Sequence, residues 1–246
     1  TRRRWPMTCA TLDAVVFDLD GTLAETERDG HRVAFNAAFA AHQLQLYWDI
    51  DRYGDLLTIT CGRRRILAGL QERGICHDDL EGLAARVHRV KTDLFAREVR
   101  RGRIGPRPGV RDLVRDLRRS GVRVAVATTG TRAWAEPLIE HLLGPGTAEV
   151  TVFGDDVTEL TPHAEAYRLA LDRLGIRAGR AVAVEDSGPG LRAAVAAGLA
   201  TVVVTNDYTR EHCLDGAALV RADFDEPTPL TTSALVSLLQ GAGRVA

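Results

Sequence analysis

The chain has 246 residues, of which 45% are hydrophobic and 26% are charged, and its formal net charge at pH 7 is −1. This length accommodates one large domain, or a core with a smaller second domain. The balanced charge lacks the basic excess that favours nucleic acid or an anionic membrane, and the apolar runs are too short to span a bilayer. We therefore expect neither nucleic acid nor a membrane as a partner.

The cysteines, Cys9, Cys61, Cys76 and Cys213, show neither a CxxC motif nor the spacing of metal ligands. We therefore expect reduced thiols and a cytoplasmic location. The first residues are basic but lack the apolar segment of a signal peptide. If they are the remnant of a transit peptide, the plastid stroma is the alternative location.

Short β-rich runs and helical patterns alternate along the chain. The runs are nearly continuously apolar, which is typical of strands buried on both faces of a parallel sheet. Alternation with short connections predicts an α/β fold with a doubly wound, Rossmann-like parallel sheet. The predicted strands are Ala14–Phe17, Val122–Ala127, Val150–Phe153, Ala181–Val184 and Thr201–Val204. The predicted helices between them are Val110–Arg119, Ala133–Leu143, Ala164–Leu174 and Leu191–Ala197.

A long segment separates the first two predicted strands. It shows helical periodicity over Thr26–Ala41, Arg63–Arg73 and Asp78–Arg101. An elaborate crossover would explain this spacing. A helical insert explains it better, because an insert at the carboxyl end of the first strand lies where such sheets bind ligands. We predict a core of residues 10–23 and 106–246 and a helical insert of residues 24–105.

Acidic side chains follow two of the predicted strands. Asp18 and Asp20 follow the first strand, and Glu185 and Asp186 follow the fourth. Neighbouring buried acids are costly through repulsion and desolvation unless a cation lies among them. Because these acids meet at one edge of the sheet, they predict an all-oxygen site suited to Mg²⁺. An ordinary Asp-Gly turn is the alternative explanation for Asp20-Gly21.

The second strand ends in Thr128-Thr129-Gly130, which offers hydroxyl and amide donors to an anion. Alone, this segment is explained equally well as a helix cap. In combination with Asp18-Leu19-Asp20-Gly21-Thr22 and Glu185-Asp186, it resembles the haloacid dehalogenase superfamily of phosphohydrolases.

The resemblance implies a role for each matching residue. Asp18 would attack phosphorus to form an aspartyl-phosphate, and Asp20 would act first as general acid and then as general base. Thr128, with Thr129 and Gly130, would bind the phosphoryl group. Mg²⁺ would be held by Asp18, the backbone carbonyl of Asp20 and the acidic pair at Glu185 and Asp186. A carboxylate nucleophile divides a difficult displacement into two steps, and the metal offsets charge repulsion.

A narrower resemblance is to the CbbY branch of that superfamily, whose recognised substrate is xylulose-1,5-bisphosphate. It implies that the insert is an α-helical cap. Glu25 and His31 would contact sugar hydroxyls, and Arg63 and Arg65 would clamp a second phosphate, with exposed helix faces as the alternative. Arg63 and Arg64 depart from the branch's pattern, whereas Arg65 matches it. We expect a monomer. The segments that carry the resemblance are Leu23–Glu27, Gly30–Asn36, Thr60–Ile66, Pro108–Val110 and Tyr208–Arg210.

The segment Gly154–Tyr167 keeps the register of the superfamily's lysine motif without its lysines. Leu160 and Thr161 replace both, and the second would be the catalytic lysine that neutralises the nucleophile and the phosphoryl group. Losing one well-placed donor or charge typically costs roughly 10²–10³ in rate. We also predict that Thr161 caps a helix with Pro162 in its first turn.

Other basic residues are candidates to replace the lost charge. Arg132 follows the second predicted strand and Arg168 lies just beyond the motif. His163 is a weaker candidate, and Lys91, the only lysine, belongs to the insert. Three functions therefore stay open: a Mg²⁺-dependent phosphatase of sugar phosphates, slowed by the missing lysine; a binding or regulatory protein with the same fold; and a sugar phosphomutase.

Overall fold

The structure is a computed structural model that describes residues 11–59 and 61–242. The expectations for Cys9, Thr60 and the residues before Thr11 lie outside these ranges. The described chain forms two compact units. The first unit contains the residues up to Ala24, Pro106–Ala135 and the residues from Ile139 onward, and the second contains Glu25–Gly105 with Glu136–Leu138. Their assignment as catalytic core and cap stays a prediction.

The first unit is built around a six-stranded sheet in which every neighbouring pair is parallel. The spatial order is β3-β2-β1-β4-β5-β6. This arrangement confirms the predicted doubly wound α/β fold. The strands are β1 (Ala14–Phe17), β2 (Arg123–Ala127), β3 (Ala148–Val152), β4 (Ala181–Glu185), β5 (Ala200–Val204) and β6 (Leu219–Arg221).

The α-helices of the described residues follow in chain order. They are α1 (Arg32–Ala41), α2 (Ile50–Leu56), α3 (Gly62–Glu72), α4 (Leu80–Arg100), α5 (Val110–Arg119), α6 (Arg132–Leu143), α7 (Glu165–Leu174), α8 (Gly188–Ala196) and α9 (Thr232–Ala242). Within the described ranges, none of them combines the length and apolarity needed to cross a bilayer.

The central strands are buried as predicted, but the edge strands differ from the prediction. All four residues of β1 and all five of β4 are buried. The expectation that Val150–Phe153 would be buried on both faces is wrong for β3, where only Val152 is buried. β3 lies at the edge of the sheet, so its side chains are covered less completely. β6, at the other edge, has three residues and no buried one, so it left no apolar run to detect.

The prediction that a helix begins at Thr161 is wrong. Thr161 and Pro162 are joined by a cis peptide bond and lie in a turn, and α7 begins at Glu165. The carboxylate of Glu165 accepts the backbone N–H groups of Thr158 and Glu159 at 3.1 and 2.9 Å. These two hydrogen bonds hold the loop at Thr158 and Glu159 against the first residue of α7. The helix therefore begins after the turn that contains Thr161.

The second unit is helical and contains an aromatic core. A π-helical turn, Glu27–His31, leads into α1. Phe35 packs against Trp48 and Tyr53 with ring centroids 5.0 and 5.8 Å apart, and Phe39 meets Trp48 at 4.7 Å. The sequence analysis missed α2, a short helix that Asp49 caps by accepting the backbone N–H of Arg52 at 2.8 Å.

Candidate active site

The register of the sheet brings the predicted acids to one level. Phe17, the last residue of β1, pairs with Val126 of β2 and Val184 of β4. The next residue, Asp18, donates its backbone N–H to the carbonyl of Val184 at 2.9 Å. Asp18 therefore leaves β1 beside Glu185, the last residue of β4.

Three carboxylates converge at this edge of the sheet. Asp18, Glu185 and Asp186 each offer an oxygen, and these oxygens all lie within 4.8 Å of one another. Glu185 and Asp186 are 2% and 6% exposed. The structure therefore brings together three of the four acids that the sequence singled out at the ends of two strands, and Asp20 is not among them.

The electrostatics of this carboxylate cluster favour a cation. Burial raises the pKa of Asp18 well above its usual value, and the charges of Glu185, Asp186 and Asp20 raise it further. Burial also raises the pKa of Glu185 to about 7, although hydrogen bonds from Tyr167 and from the backbone oppose this shift. A buried all-oxygen set with excess negative charge has the donor chemistry of a Mg²⁺ site, so these residues fit that ion.

Gly21 allows the turn of residues 18–22, named the catalytic turn after the predicted role of Asp18, to lie against the carboxylate cluster. Its φ is +81°, a conformation that favours glycine, and a Cβ here would lie 2.4 Å from Oδ2 of Asp186. It would also lie 2.7 Å from Nδ2 of Asn206, which donates to Asp186 Oδ2 at 2.7 Å. Asn206 is not among the residues predicted from the sequence, although its position just after β5 follows the rule that located the acids.

Tyr167 and Gly190 both lie against the carboxylate of Glu185. The buried hydroxyl of Tyr167 donates to Glu185 Oε1. A Cβ at Gly190 would lie 1.9 Å from Glu185 Oε2, so the first turn of α8 must be free of a side chain there. The sequence analysis used Tyr167 only to establish the register of the lysine motif.

Thr128 lies at the end of β2, where the backbone turns toward α6. It is 3% exposed, and its Oγ1 accepts the N–H of Gly130 at 3.0 Å. The hydroxyl hydrogen is left to donate to a ligand. Gly130 is buried against Trp134, whose Cζ2 would lie 2.3 Å from an added Cβ, whereas Thr129 is exposed.

The acidic loop that replaces the lysine motif has its own arginine partners. Asp156 pairs with Arg132 at 2.9 Å and with Arg173 at 3.0 Å. The Arg132 guanidinium also lies over the ring of Phe153, 4.1 Å from its centroid. Arg168 donates to the carbonyl of Ala196 at 3.0 Å. These contacts bind both candidate substitutes to other groups, and they give no support to either as the replacement for the lysine.

His31 and Lys91 of the second unit lie in a basic cluster. His31 is buried, and its Nδ1 lies 2.9 Å from Nζ of the buried Lys91. The Lys91 ammonium faces the rings of Phe35 and Phe95, 4.7 and 5.4 Å from their centroids. Burial, followed by the charge of Lys91, lowers the pKa of neighbouring His88 to about 4.

The two predicted arginines differ in their surroundings. Arg65 donates to the carbonyl of Ile59 at 2.8 Å and to the Tyr53 hydroxyl at 3.3 Å, and it lies 3.9 Å from Glu27. Arg63 is exposed at the start of α3, and Glu25 is partly exposed. The roles of these residues in substrate binding stay predictions.

Comparisons with known proteins identify the family of the chain. A family model for haloacid dehalogenase-like hydrolases matches residues 12–198. The chain is 42% identical over 219 residues to Protein CbbY of Cereibacter sphaeroides, and the match covers 87% of this chain and 94% of that protein. It is 30% identical over 226 residues to the phosphorylated carbohydrates phosphatase of Thermotoga maritima, covering 86% and 91%.

Among solved structures, CbbY of Rhodobacter sphaeroides in complex with xylulose-1,5-bisphosphate superposes with a TM-score of 0.78. The two chains are 40% identical, and the match covers 89% of this chain and 98% of that one. The protein is thus a hydrolase that belongs to the haloacid dehalogenase-like family and, within it, to the CbbY proteins.

Proposed function

We propose that the protein is a Mg²⁺-dependent phosphatase of sugar phosphates, with xylulose-1,5-bisphosphate as the first substrate to test. The observation that carries this proposal is the convergence of Asp18, Glu185 and Asp186 within 4.8 Å at the carboxyl edge of the sheet. The substrates named for the CbbY and Thermotoga relatives support the choice of phosphorylated sugars.

In the proposed reaction, Asp18 provides the nucleophilic oxygen. It forms a bond to phosphorus while the bond from phosphorus to the sugar oxygen breaks, and Asp20 gives its proton to that leaving oxygen. Water then attacks the aspartyl-phosphate and passes a proton to Asp20. The bond between phosphorus and the Asp18 oxygen breaks, which releases inorganic phosphate. Thr128 would donate its hydroxyl hydrogen to a phosphoryl oxygen.

Asp18, the backbone carbonyl of Asp20, Glu185 and Asp186 are the proposed ligands of Mg²⁺. When bound, the ion offsets the negative charge that would otherwise oppose attack of a carboxylate on a phosphate ester. Asn206 and Tyr167 each donate a hydrogen bond to one of the acids. Such partners orient ligands and are the usual support of a metal site.

The second unit would provide the groups that select the substrate. We propose that Glu25 and His31 bind sugar hydroxyls and that Arg63 and Arg65 bind a second phosphate. The buried Lys91 beside His31 supports this proposal, because an anion lowers the free energy of a basic cluster that lies in apolar surroundings.

One observation favours a second candidate function, that of a sugar-phosphate binding protein with little turnover. Thr161 occupies the expected lysine position, and Arg132, an arginine candidate to replace it, is bound to Asp156. Without that positive charge, the acids would hold Mg²⁺ and substrate but would stabilise the transition state less.

The test is the release of phosphate from xylulose-1,5-bisphosphate and from a panel of sugar monophosphates, with Mg²⁺ and with EDTA. We expect slow, Mg²⁺-dependent turnover that prefers the bisphosphate. Equilibrium binding of the bisphosphate with no release would favour the binding protein. Turnover that persists in EDTA would contradict the metal site.

A further inference from the structure

Arg107 is a buried arginine at the point where the chain returns to the first unit. It is 7% exposed and lies between Pro106 and Pro108. Its backbone N–H donates to the carbonyl of Leu23 at 2.9 Å, so the returning chain is bound to the segment that leaves the catalytic turn. None of the functions assigned above uses its side chain.

The guanidinium of Arg107 joins three segments of the first unit. Nη1 donates to the carbonyl of Gly21 at 2.5 Å and to that of Val204 at 2.9 Å. Nη2 donates to the carbonyls of Thr205 at 2.7 Å and Ala222 at 3.4 Å. One side chain therefore connects the catalytic turn, the end of β5 and the residue that follows β6.

Two of these segments carry or contact the acids of the site. Gly21 follows Asp20 directly, and its carbonyl lies 3.5 Å from Nδ2 of Asn206. The same Nδ2 donates to Asp186 Oδ2 at 2.7 Å, and Asn206 follows Thr205, one of the residues that Arg107 holds. A displacement of Gly21 or Thr205 would therefore move the amide that orients Asp186.

We propose that Arg107 is a positioning residue of the metal site: through Gly21 and Asn206 it fixes the backbone of Asp20 and the carboxylate of Asp186 where a divalent cation binds them. This inference rests on the proposed function, because it presumes that these acids bind Mg²⁺. Arginine suits the position because its planar guanidinium is always charged and spreads its donors over three nitrogens in a fixed plane, whereas the three donors of an ammonium share one nitrogen.

The test compares Arg107→Met and Arg107→Lys with the control Arg221→Met. Arg221 is matched because it also donates to three carbonyls, those of Asp223, Glu226 and Thr228, near the same edge of the sheet. These contacts involve neither Gly21 nor Asn206. The readouts are the dissociation constant of Mg²⁺, measured by titration calorimetry without substrate, and kcat and KM for phosphate release. Thermal melting in EDTA reports the loss of stability separately.

We expect Arg107→Met to raise the Mg²⁺ dissociation constant by about 10- to 100-fold, the usual effect of losing a partner that orients metal ligands. It should lower kcat at a fixed Mg²⁺ concentration more than it changes KM. Arg107→Lys should fall between it and the wild type. Arg221→Met should lower the melting temperature while the wild-type Mg²⁺ dissociation constant is retained.

An Arg107→Met protein that melts earlier but binds Mg²⁺ as the wild type does would overturn the inference. If Arg107→Met does not fold, Arg107→Lys decides by the same measurement, and an unchanged dissociation constant again overturns it. A wild type that binds no Mg²⁺ would refute the metal site of the proposed function, and this inference with it. If the wild type binds Mg²⁺ and the Arg107 variants bind it equally well, this inference is refuted and the metal site of the proposed function is not.

Discussion

The two units concentrate opposite charges in buried surroundings. In the first unit burial raises the pKa of Asp18, and three other carboxylates raise it further. In the second unit Lys91 lies against His31 and two phenylalanine rings, and the pKa of His88 is lowered to about 4. Like charges held together in this way are stabilised by a ligand of opposite charge. We propose a divalent cation as the ligand of the first cluster and a phosphate group as the ligand of the second.

The largest expected effect comes from removing the central carboxylate of the acidic cluster. Asp18→Asn keeps the shape of the side chain but removes the nucleophile, so phosphate release should fall by on the order of 10⁴-fold or more. The matched control is Asp13→Asn. Asp13 lies just before the other end of β1 and pairs with Arg180 at 2.7 Å, so this variant should keep its activity. Equal rates for Asp18→Asn and the wild type would refute the proposed mechanism.

The stability of the metal-free protein should depend on pH because of the same cluster. The pKa of Glu185 is raised from its ordinary 4.5 to about 7, and that of Asp18 moves in the same direction. The folded state therefore binds more protons than the unfolded state in this window, and stability is lost as pH rises through it. A tenfold difference in proton affinity between the two states corresponds to about 1.4 kcal/mol, so the loss from Glu185 should be a few kcal/mol.

Urea unfolding in EDTA across this pH range measures the loss, and Glu185→Gln should flatten the curve because its side chain does not titrate. Saturating Mg²⁺ at neutral pH should restore stability by mass action, by about 2.7 kcal/mol at 100 times the dissociation constant. If the free energy of unfolding of the metal-free wild type rises between pH 4.5 and about 7, the raised pKa of Glu185 is contradicted.

Most of the acidic site could be predicted from the sequence, because it depends on strand ends. Buried parallel strands are visible as apolar runs, and their carboxyl ends meet at one edge, so Asp18 and Asp186 could be placed together before any coordinates. Arg107 could not be placed in this way. Its hydrogen bonds to the backbone carbonyls of Gly21, Val204, Thr205 and Ala222 follow from no side-chain pattern.

The loop that carries Thr161 shows a different limit of sequence reasoning. The pair Thr161-Pro162 has the pattern of a helix start, yet Glu165 accepts two N–H groups from Thr158 and Glu159, and α7 begins later. A local motif was outweighed by contacts within the loop. In the second unit the partners His31 and Lys91 are distant in sequence, and the packing of the π-helical turn and α1 against α4 brings them together.

Thr161→Lys would add a positive charge to the unit that contains the acidic cluster. Thr161→Lys should raise kcat by about 10- to 100-fold if the lost lysine limits the transferring step. Leu160→Lys is the matched control, because it adds the same charge one residue earlier at a side chain that is 50% exposed. Turnover that Thr161→Lys leaves unchanged or lowers would show that this position is not the missing charge, and phosphate release under saturating Mg²⁺ decides it.

The smallest expected effect concerns the basic cluster of the second unit. Burial is the main cause of the lowered pKa of His88, and the charge of Lys91 is the next, so Lys91→Met should raise that pKa from about 4 without restoring the ordinary 6.5. Histidine ring signals followed by NMR over pH measure the shift, and Arg64→Gln, which removes an exposed neighbouring charge, is the control. Because the folded state lowers the pKa of His88, it becomes less stable as pH falls below the ordinary value of 6.5. Lys91→Met should therefore reduce the loss of stability of this unit at acidic pH. An unchanged His88 pKa would mean that Lys91 does not contribute to its shift, and that Lys91 does not impose the positive potential that we expect to attract a phosphate.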